Sequence, residues 1–185
     1  MKLNLGCGYH KRSGFVNVDV REECLPDVAL DLERTPWPWG NDSAEAVVFV
    51  HSLEHMGGDP EVFREMIREL YRVCRNGAEV LVQVPHPRHD DFITDPTHVR
   101  AITPATLGHL SRRNNIEWLK SGAANTPLAI YWNVDFEIRK IKYLVDEPYR
   151  SQLAKAELSP EQLQQLSRER NNVIREISIS LVAVK

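Results

Sequence analysis

Two glycines and an acid near the start of the chain have the residue types of a ligand-binding turn. The apolar run Leu3–Leu5 leads into Gly6-Cys7-Gly8, and a second apolar run ends at Asp19. Glycines let a ligand approach the backbone closely. A carboxylate can accept hydrogen bonds from both hydroxyls of a ribose. These residues predict a site for a ligand that contains a ribose.

The spacing of these residues is not that of a dinucleotide site. The dinucleotide fingerprint is G-x-G-x-x-G, with an acid about twenty residues farther along the chain. Here Lys11 stands at the third glycine position, and Asp19 lies only eleven residues after Gly8. No G-K-S or G-K-T phosphate loop occurs in the chain either. We therefore favour a ribose ligand without a pyrophosphate.

A second group of chemically active side chains follows the predicted fourth and fifth strands. Histidine can act as a general base near neutral pH, and the candidates are His51, His55, His86, His89 and His98. Glu54 and His55 either take part in the chemistry or only stabilise the loop that enters a helix. In the segment Asp95–Arg100, a carboxylate, an imidazole and a guanidinium lie together just before a helix N-cap. The alternative for this segment is that Asp95 and Arg100 pair with each other.

The polar stretch from Pro85 to Pro104 also contains side chains that can bind a metal ion. They are His86, His89, Asp90, Asp91, Asp95 and His98. No H-E-x-x-H sequence or other fixed ligand spacing appears among them. We therefore assign no metal site from the sequence.

The hydrophobic pattern predicts an α/β fold that positions these groups. Asp59-Pro60 begins a helix that Asn76-Gly77 ends, and Thr103-Pro104 and Ser159-Pro160 begin two more helices. The expected strands are Lys2–Leu5, Phe15–Val20, Val28–Leu32, Ala44–Val50, Ala78–Val84, Ile116–Leu119, Tyr131–Val145 and Val173–Val184. Parallel strands come first, and two long strands that can pair antiparallel come last. Ligands bind such a sheet beyond the C-terminal ends of its parallel strands.

Length and charge restrict the class of protein. A chain of 185 residues is long enough for one domain and short for two. Its net charge of −3 creates no field that attracts nucleic acid or an acidic membrane. Three widely spaced cysteines are typical of reduced thiols, and we find no signal peptide or membrane span, so we expect a cytoplasmic protein.

Four segments of the first half of the chain have the pattern of a known family. They are LNLGCG (Leu3–Gly8), VNVDV (Val16–Val20), LDLERTPWPWGNDSAEAVVFVHSLEHM (Leu30–Met56) and RELYRVCRNGAEVLVQVP (Arg68–Pro85). They resemble the class I S-adenosylmethionine-dependent methyltransferases, particularly the type 11 methyltransferase-domain group. The resemblance implies a three-layer Rossmann-like fold whose mixed seven-stranded sheet has an antiparallel last strand. Two features depart from the family: its N-terminal helix is missing, and the first crossover, Tyr9–Gly14, is too short for a helix.

The resemblance also implies the cofactor, S-adenosyl-L-methionine, and the residues that bind it. Its methionine part would lie against the glycine turn, its ribose against Asp19, its adenine beside Asp31, and its methyl group near His51. The full set of implied cofactor-binding residues is Leu5, Gly6, Cys7, Gly8, Asp19, Val20, Asp31, Leu32 and His51. Trp37 and Trp39 replace smaller apolar residues that the family has near the adenine.

For the acceptor, the resemblance adds that D-P-x-H-x-R segments favour acceptor binding or a lid. We expect His86, Asp95, His98 and Arg100 to bind the acceptor, with His51, His55 and His98 as candidate catalytic residues. The chain lacks the D-P-P-Y-type stretch of base-amine methyltransferases and the Pro-Cys nucleophile of cytosine enzymes. Together with the acidic net charge, this disfavours nucleic acid and leaves a small-molecule or sugar-type acceptor methylated by in-line transfer.

We expect one domain over residues 1–185. Residues 1–85 would form its cofactor-binding half and residues 86–185 its acceptor-side half. An insertion at about 146–172 could cap the cleft or make a homodimer contact. Two other functions remain open at this point: a cofactor-binding but inactive partner subunit, and a nicotinamide-dependent oxidoreductase, against which Lys11 speaks.

Overall fold

One mixed β-sheet of seven strands runs through the protein in a computed structural model that describes residues 1–185. The strands are β1 (Lys2–Leu5), β2 (Val16–Asp19), β3 (Val28–Ala29), β4 (Ala44–Val50), β5 (Cys74–Pro85), β6 (Phe136–Val145) and β7 (Ile174–Ala183). Their order across the sheet is β3-β2-β1-β4-β5-β7-β6. The strands β1 to β5 are parallel, and β7 pairs antiparallel with both β5 and β6. The predicted mixed sheet with an antiparallel last strand is therefore confirmed.

Seven helices accompany the sheet. They are α1 (Pro60–Val73), α2 (Asp90–Ile93), α3 (Pro104–Gly108), α4 (Arg112–Ser121), α5 (Leu128–Trp132), α6 (Tyr149–Ala154) and α7 (Pro160–Glu169). The start of α1 is as predicted, because the side chain of Asp59 accepts a hydrogen bond from the Glu61 amide at 2.7 Å. The apolar stripe of α1 is buried in the core. None of the seven helices combines the length and the apolar character needed to cross a membrane.

The crossover between β1 and β2 contains no helix, as its length predicts. Two buried asparagines hold this segment instead. Asn4 Nδ2 donates to Asn17 Oδ1 at 2.9 Å and to the His10 carbonyl at 3.1 Å. The Asn17 side chain also accepts a hydrogen bond from the Arg12 amide and donates one to the Arg12 carbonyl. The short loop is therefore fixed by hydrogen bonds to β1 and β2, where a longer crossover would pack a helix.

The predicted end of α1 is wrong. The helix stops at Val73, and β5 begins at once with Cys74. Asn76-Gly77 lies in an exposed irregularity of β5, where the pairing with β4 moves from Ala44↔Cys74 to Ala46↔Glu79. Gly77 has φ +77°, which suits a bulge as well as it suits a helix C-cap.

Two further predictions near the middle of the chain are wrong. Ile116–Leu119 belongs to α4, because Ser111 caps a new helix by accepting from the Asn114 amide. The same cap separates α4 from α3, the helix that begins as predicted after Thr103 and ends at Gly108. Tyr131 and Trp132 belong to α5, and the strand begins only at Phe136. The capping box at Ser159, which opens α7, is confirmed.

Trp37 anchors the segment that follows β3. Its ring is 3 % exposed, its Nε1 donates to the Leu32 carbonyl at 3.0 Å, and its backbone amide donates to Glu69 at 2.8 Å. Arg72 forms a bidentate pair with the same Glu69 and donates to the carbonyls of Trp37 and Trp39. The loop after β3 is thus attached to α1.

Trp37→Phe tests this anchor. The Leu32 carbonyl loses its buried donor, which costs about 1–3 kcal/mol of the free energy of unfolding. Trp39→Phe is the matched control, because Trp39 packs beside Trp37 and its indole nitrogen holds no hydrogen bond. Chemical denaturation of both variants measures the difference. Equal destabilisation would contradict the role given to the Trp37 hydrogen bond.

Candidate functional site

Three neighbouring cavities lie along the C-terminal ends of the parallel strands. The glycine cavity, of about 700 Å³, is lined by the turn Gly6–His10 together with Asp19, Arg21, His51 and Met56. The Asp31 cavity, of about 350 Å³, shares Gly6, Asp19 and Met56 with it and adds Val20, Leu30, Asp31 and Leu32. The histidine cavity, of about 440 Å³, is lined by His51, Glu54, His55, Asp95, His98 and Glu176. His55 lines all three, so the cavities form one cleft.

The carboxylate of Asp19 connects β1 and β2 at the glycine turn. Its Oδ2 accepts from the Gly8 amide at 2.7 Å, and its Oδ1 accepts from the Arg21 amide at 3.0 Å. The side chain is 8 % exposed and lines both the glycine cavity and the Asp31 cavity. Each oxygen keeps a free lone pair, so Asp19 can accept two further hydrogen bonds from a ligand.

Gly6 brings the end of β1 against the residue that follows β4. A Cβ at Gly6 would lie 2.5 Å from the Ser52 Cβ, and Gly6 has φ +68°. The Ser52 hydroxyl donates to the Leu5 carbonyl at 2.9 Å. Leu5 itself is buried and supports the cavity through this carbonyl. A glycine is required here by the close approach and by the backbone angle.

The Asp31 cavity combines apolar walls with one carboxylate. Val20, Leu30 and Leu32 supply apolar surface, and Asp31 lies beside them. The Leu30 amide donates to the Asp19 carbonyl at 3.0 Å, which fixes this wall relative to the glycine turn. Neither Trp37 nor Trp39 lines this cavity, and Trp37 contacts its wall through the hydrogen bond to the Leu32 carbonyl.

His51 lies between the glycine cavity and the histidine cavity. It follows β4 and has φ +50°, a strained backbone angle for a residue other than glycine. Its Nε2 lies 2.9 Å from Glu176 Oε2, and its Nδ1 lies 3.8 Å from Glu54 Oε1. The carboxylates of Glu54 and Glu176 raise the pKa of His51 above its ordinary value, against the opposing effect of its partial burial.

The segment Asp95–Arg100 is docked on the short helical turn Leu53–His55. The amides of Val99 and Arg100 both donate to the Glu54 carbonyl, at 2.9 and 3.1 Å. The rings of His55 and His98 contact each other, with their centroids 4.5 Å apart. Hydrogen bonds from the hydroxyl and amide of Thr97 hold the pKa of Asp95 below its ordinary value. Asp95 therefore remains ionised beside the two imidazoles.

Two of the residues expected on the acceptor side lie elsewhere. His86 lines a separate cavity beside α7, where burial lowers its pKa. The Arg100 guanidinium packs on the Phe63 ring, 4.0 Å from its centroid, and donates to the Gly57 carbonyl. Arg100 makes no ion pair with Asp95. Asp95 and His98 do line the histidine cavity, together with His51 and His55.

Sequence reasoning missed several groups that line the cleft, and four of them carry charge or lie at the junction of the cavities. Arg21 and Met56 face the glycine cavity, while Arg175 and Glu176 face the histidine cavity. The antiparallel direction of the last strand is the signal that could have found the last two. A reversed strand begins where its parallel neighbours end, so the start of β7 must lie at the cleft.

The fold can be compared with solved structures. A SAM-dependent methyltransferase from Archaeoglobus fulgidus is 18 % identical, with 98 % of this chain and 85 % of that chain covered and a TM-score of 0.63. A SAM-dependent methyltransferase from Methanosarcina mazei is 14 % identical, with 100 % and 92 % covered and a TM-score of 0.53. The cyclase SpnF is 14 % identical, with 99 % and 75 % covered and a TM-score of 0.55.

No protein-family model matches the sequence, and no curated protein matches it either. The structural likeness extends over nearly the whole chain at low sequence identity, and it agrees with the strand order and the reversed β7. The chain therefore has the Rossmann-like fold of the class I S-adenosylmethionine-dependent methyltransferases.

Proposed function

We propose that this protein is an S-adenosylmethionine-dependent methyltransferase. The observation that carries the proposal is the Asp19 carboxylate. It is nearly buried, is bonded to the Gly8 amide, and lies where the glycine cavity meets the Asp31 cavity. The cleft suits a ligand with a ribose between an adenine and a short polar chain. The ribose would lie at Asp19, the adenine in the Asp31 cavity and the polar chain in the glycine cavity. The solved structures described as methyltransferases, which share the fold, support the same cofactor.

The residues of the cleft fit each part of this cofactor. Asp19 would accept the two ribose hydroxyls, and its hydrogen bond to Gly8 prevents it from turning away. Leu32 and Val20 would pack on the adenine, and Asp31 would accept from its amino group. Gly6, Cys7 and Gly8 would lie along the methionine part. When bound, S-adenosylmethionine supplies an electrophilic methyl group on a sulfonium.

The histidine cavity is the proposed acceptor site. In-line transfer requires the acceptor atom to be held opposite the leaving sulfur, which is a positioning task. His51 lies at the boundary of the two cavities and is oriented by Glu176, so it can take a proton from an acceptor that must lose one. His55 and His98 are the other candidates. A polar cavity of about 440 Å³ suits a small-molecule or sugar-type acceptor.

We also propose that residues 1–185 act as one domain with a cofactor half and an acceptor half. The insertion at about 146–172 lies on the acceptor side. Arg88, in the loop after β5, donates to the carbonyls of Ser167 and Arg168, and His89 Nε2 lies 2.9 Å from Asp146 Oδ2. These contacts attach the insertion to the loop that borders the histidine cavity.

Thermal unfolding with S-adenosylhomocysteine, NAD and ATP at equal concentrations tests the proposed function. A ligand at 100 times its dissociation constant stabilises the native state by about 2.7 kcal/mol, which raises Tm by several degrees. We expect a shift with S-adenosylhomocysteine alone. A shift with NAD alone would contradict the proposal and favour an oxidoreductase. Methyl transfer to a panel of sugar and hydroxyl acceptors then distinguishes an enzyme from a binding subunit.

Asp19→Asn is expected to weaken S-adenosylhomocysteine binding. The amide replaces one acceptor oxygen by a donor, so a ribose hydroxyl loses its partner at a cost of about 1–3 kcal/mol, or about 5- to 150-fold in Kd. Isothermal titration measures this loss. Asp27→Asn is the matched control. The Asp27 carboxylate accepts hydrogen bonds from Asn17, which lies in β2 like Asp19, but Asp27 lines none of the three cavities. Unchanged affinity in Asp19→Asn would show that the ribose lies elsewhere.

Gly6→Ala is expected to abolish the site through a steric clash. The new Cβ would displace Ser52 and break its hydrogen bond to the Leu5 carbonyl. Gly14→Ala is the control, since Gly14 also has a positive φ, of +77°, but has open space around it. Both variants share the backbone strain, and only Gly6→Ala should lose S-adenosylhomocysteine binding in the same titration. Equal binding by the two variants would argue against a tight junction at Gly6.

A further inference from the structure

Glu54 is a buried carboxylate with no hydrogen-bond donor. The residue is 1 % exposed, and neither carboxylate oxygen has a partner. The nearest basic atoms are His51 Nδ1, at 3.8 Å, and His98 Nε2, at 4.0 Å, both beyond hydrogen-bond distance. Burying an unpaired charge is costly, so buried charges are normally paired or bound to metal ions. In the proposed methyl transfer, Glu54 acts only through its effect on the pKa of His51.

The two imidazoles beside Glu54 present lone pairs to a ligand. His98 Nδ1 lies 2.9 Å from the Phe92 carbonyl, to which it must donate, so in the neutral ring the lone pair lies on Nε2. His55 Nδ1 lies 2.9 Å from the Thr97 hydroxyl, whose only proton is donated to Asp95. His55 must therefore donate through Nδ1 as well, and in the neutral ring the lone pair lies on Nε2. Two neutral imidazoles and one carboxylate can thus offer three ligand atoms to a cation.

The charged side chains that line the histidine cavity also favour a cation. Its lining contains four carboxylates, those of Glu54, Asp91, Asp95 and Glu176, against the single guanidinium of Arg175. Arg175 is already paired with Asp91 at 2.9 Å, and Glu176 is paired with His51. The carboxylates of Glu54 and Asp95 have no such cationic partner, and their oxygens lie 4.0 and 3.8 Å from His98 Nε2. The lining therefore has more carboxylates than arginine or lysine side chains, which favours a cation as the ligand.

We propose that Glu54, His55 and His98 bind a divalent transition-metal ion, for which Zn²⁺ is the probe. One ligand atom from each residue lies within 4.8 Å of the other two. Zn²⁺ binds such atoms at about 2.0–2.2 Å, so the three groups need to close by roughly 1 Å. Two histidines and one carboxylate form an established ligand set for Zn²⁺ and Fe²⁺. The Nδ1 atoms of His98 and His55 bond the Phe92 carbonyl and the Thr97 hydroxyl, and metal-binding histidines usually donate their second ring nitrogen to a partner in this way.

A three-residue site leaves coordination positions open, and here they face the histidine cavity. Such an ion would hold an oxygen atom of a ligand in that cavity, for example a carboxylate or a hydroxyl group. These three residues form no recognisable metal-binding motif because His98 lies on a separate loop, more than forty residues after Glu54. The metal site does not depend on cofactor binding, so it can be tested without the cofactor.

Zn²⁺ titration into chelator-treated protein tests the proposal, with isothermal titration as the readout. We expect one ion per chain, and a loss of affinity in Glu54→Gln and in His98→Asn at least as large as the 10- to 100-fold loss that outer-shell changes cause. Asparagine at 98 keeps a donor for the Phe92 carbonyl and removes Nε2. His109→Asn is the matched control, because His109 Nδ1 also lies 2.9 Å from a carbonyl, that of Thr126, away from the cavity.

The stability of the metal-free variants gives a second readout. Glu54→Gln removes an unpaired buried charge, so its Tm without metal should equal or exceed that of the wild type, while its Tm no longer rises with Zn²⁺. A merely structural Glu54 would give a lower Tm in this variant. Absence of Zn²⁺ binding by the wild type, or equal binding by His98→Asn and His109→Asn, would overturn the proposal.

Discussion

The hydrogen bond from the Gly8 amide to the Asp19 carboxylate determines how the cleft is built. It joins the turn after β1 to the end of β2, and Gly6 at the same turn lies against Ser52 after β4. Three neighbouring strands are therefore connected at their C-terminal ends, where the glycine cavity and the Asp31 cavity meet. The buried asparagines Asn4 and Asn17 make this possible without a crossover helix, because they satisfy the loop backbone directly.

The histidine cavity depends on a second junction, between the Glu54 carbonyl and the amides of Val99 and Arg100. This contact brings the loop after β5 onto the turn after β4. His98 and Asp95 thereby reach His55, and the Glu54 side chain becomes enclosed. The proposed acceptor site and the proposed metal site both rest on this junction. An ion held there would lie beside His51, which lines both the histidine cavity and the glycine cavity.

Local sequence signals predicted the elements whose boundaries are set locally. Asp59-Pro60 and Ser159 are helix caps whose bonds reach only two or three residues along the chain, and both helices start where expected. The signal Asn76-Gly77 was misleading, because a glycine with positive φ suits a helix end and a strand bulge equally. Pairing of β5 with β4 decides between them, and that contact is not local. The prediction of a strand at Ile116–Leu119 was wrong because such a short apolar run has no period that distinguishes a strand from a helix.

The residues that line the glycine cavity and the Asp31 cavity could be predicted from the sequence because they follow three strands in order. Those of the histidine cavity could be predicted only in part. Glu176 reaches His51 across 125 residues through the register of β7, and no short motif encodes such a contact. Arg100 was expected at the acceptor, whereas its guanidinium packs on Phe63. A polar residue type indicates chemistry, but the direction of its side chain depends on tertiary packing.

A crystal structure with bound S-adenosylhomocysteine is the most direct test of the proposal that Asp19 binds the ribose of the cofactor. The measured quantity is the distance from each ribose hydroxyl oxygen to the carboxylate of Asp19. We expect hydrogen bonds of about 2.5–3.0 Å, with the adenine in the Asp31 cavity beside Leu32. A ligand whose ribose lies outside this distance, or whose adenine occupies the histidine cavity, would contradict it.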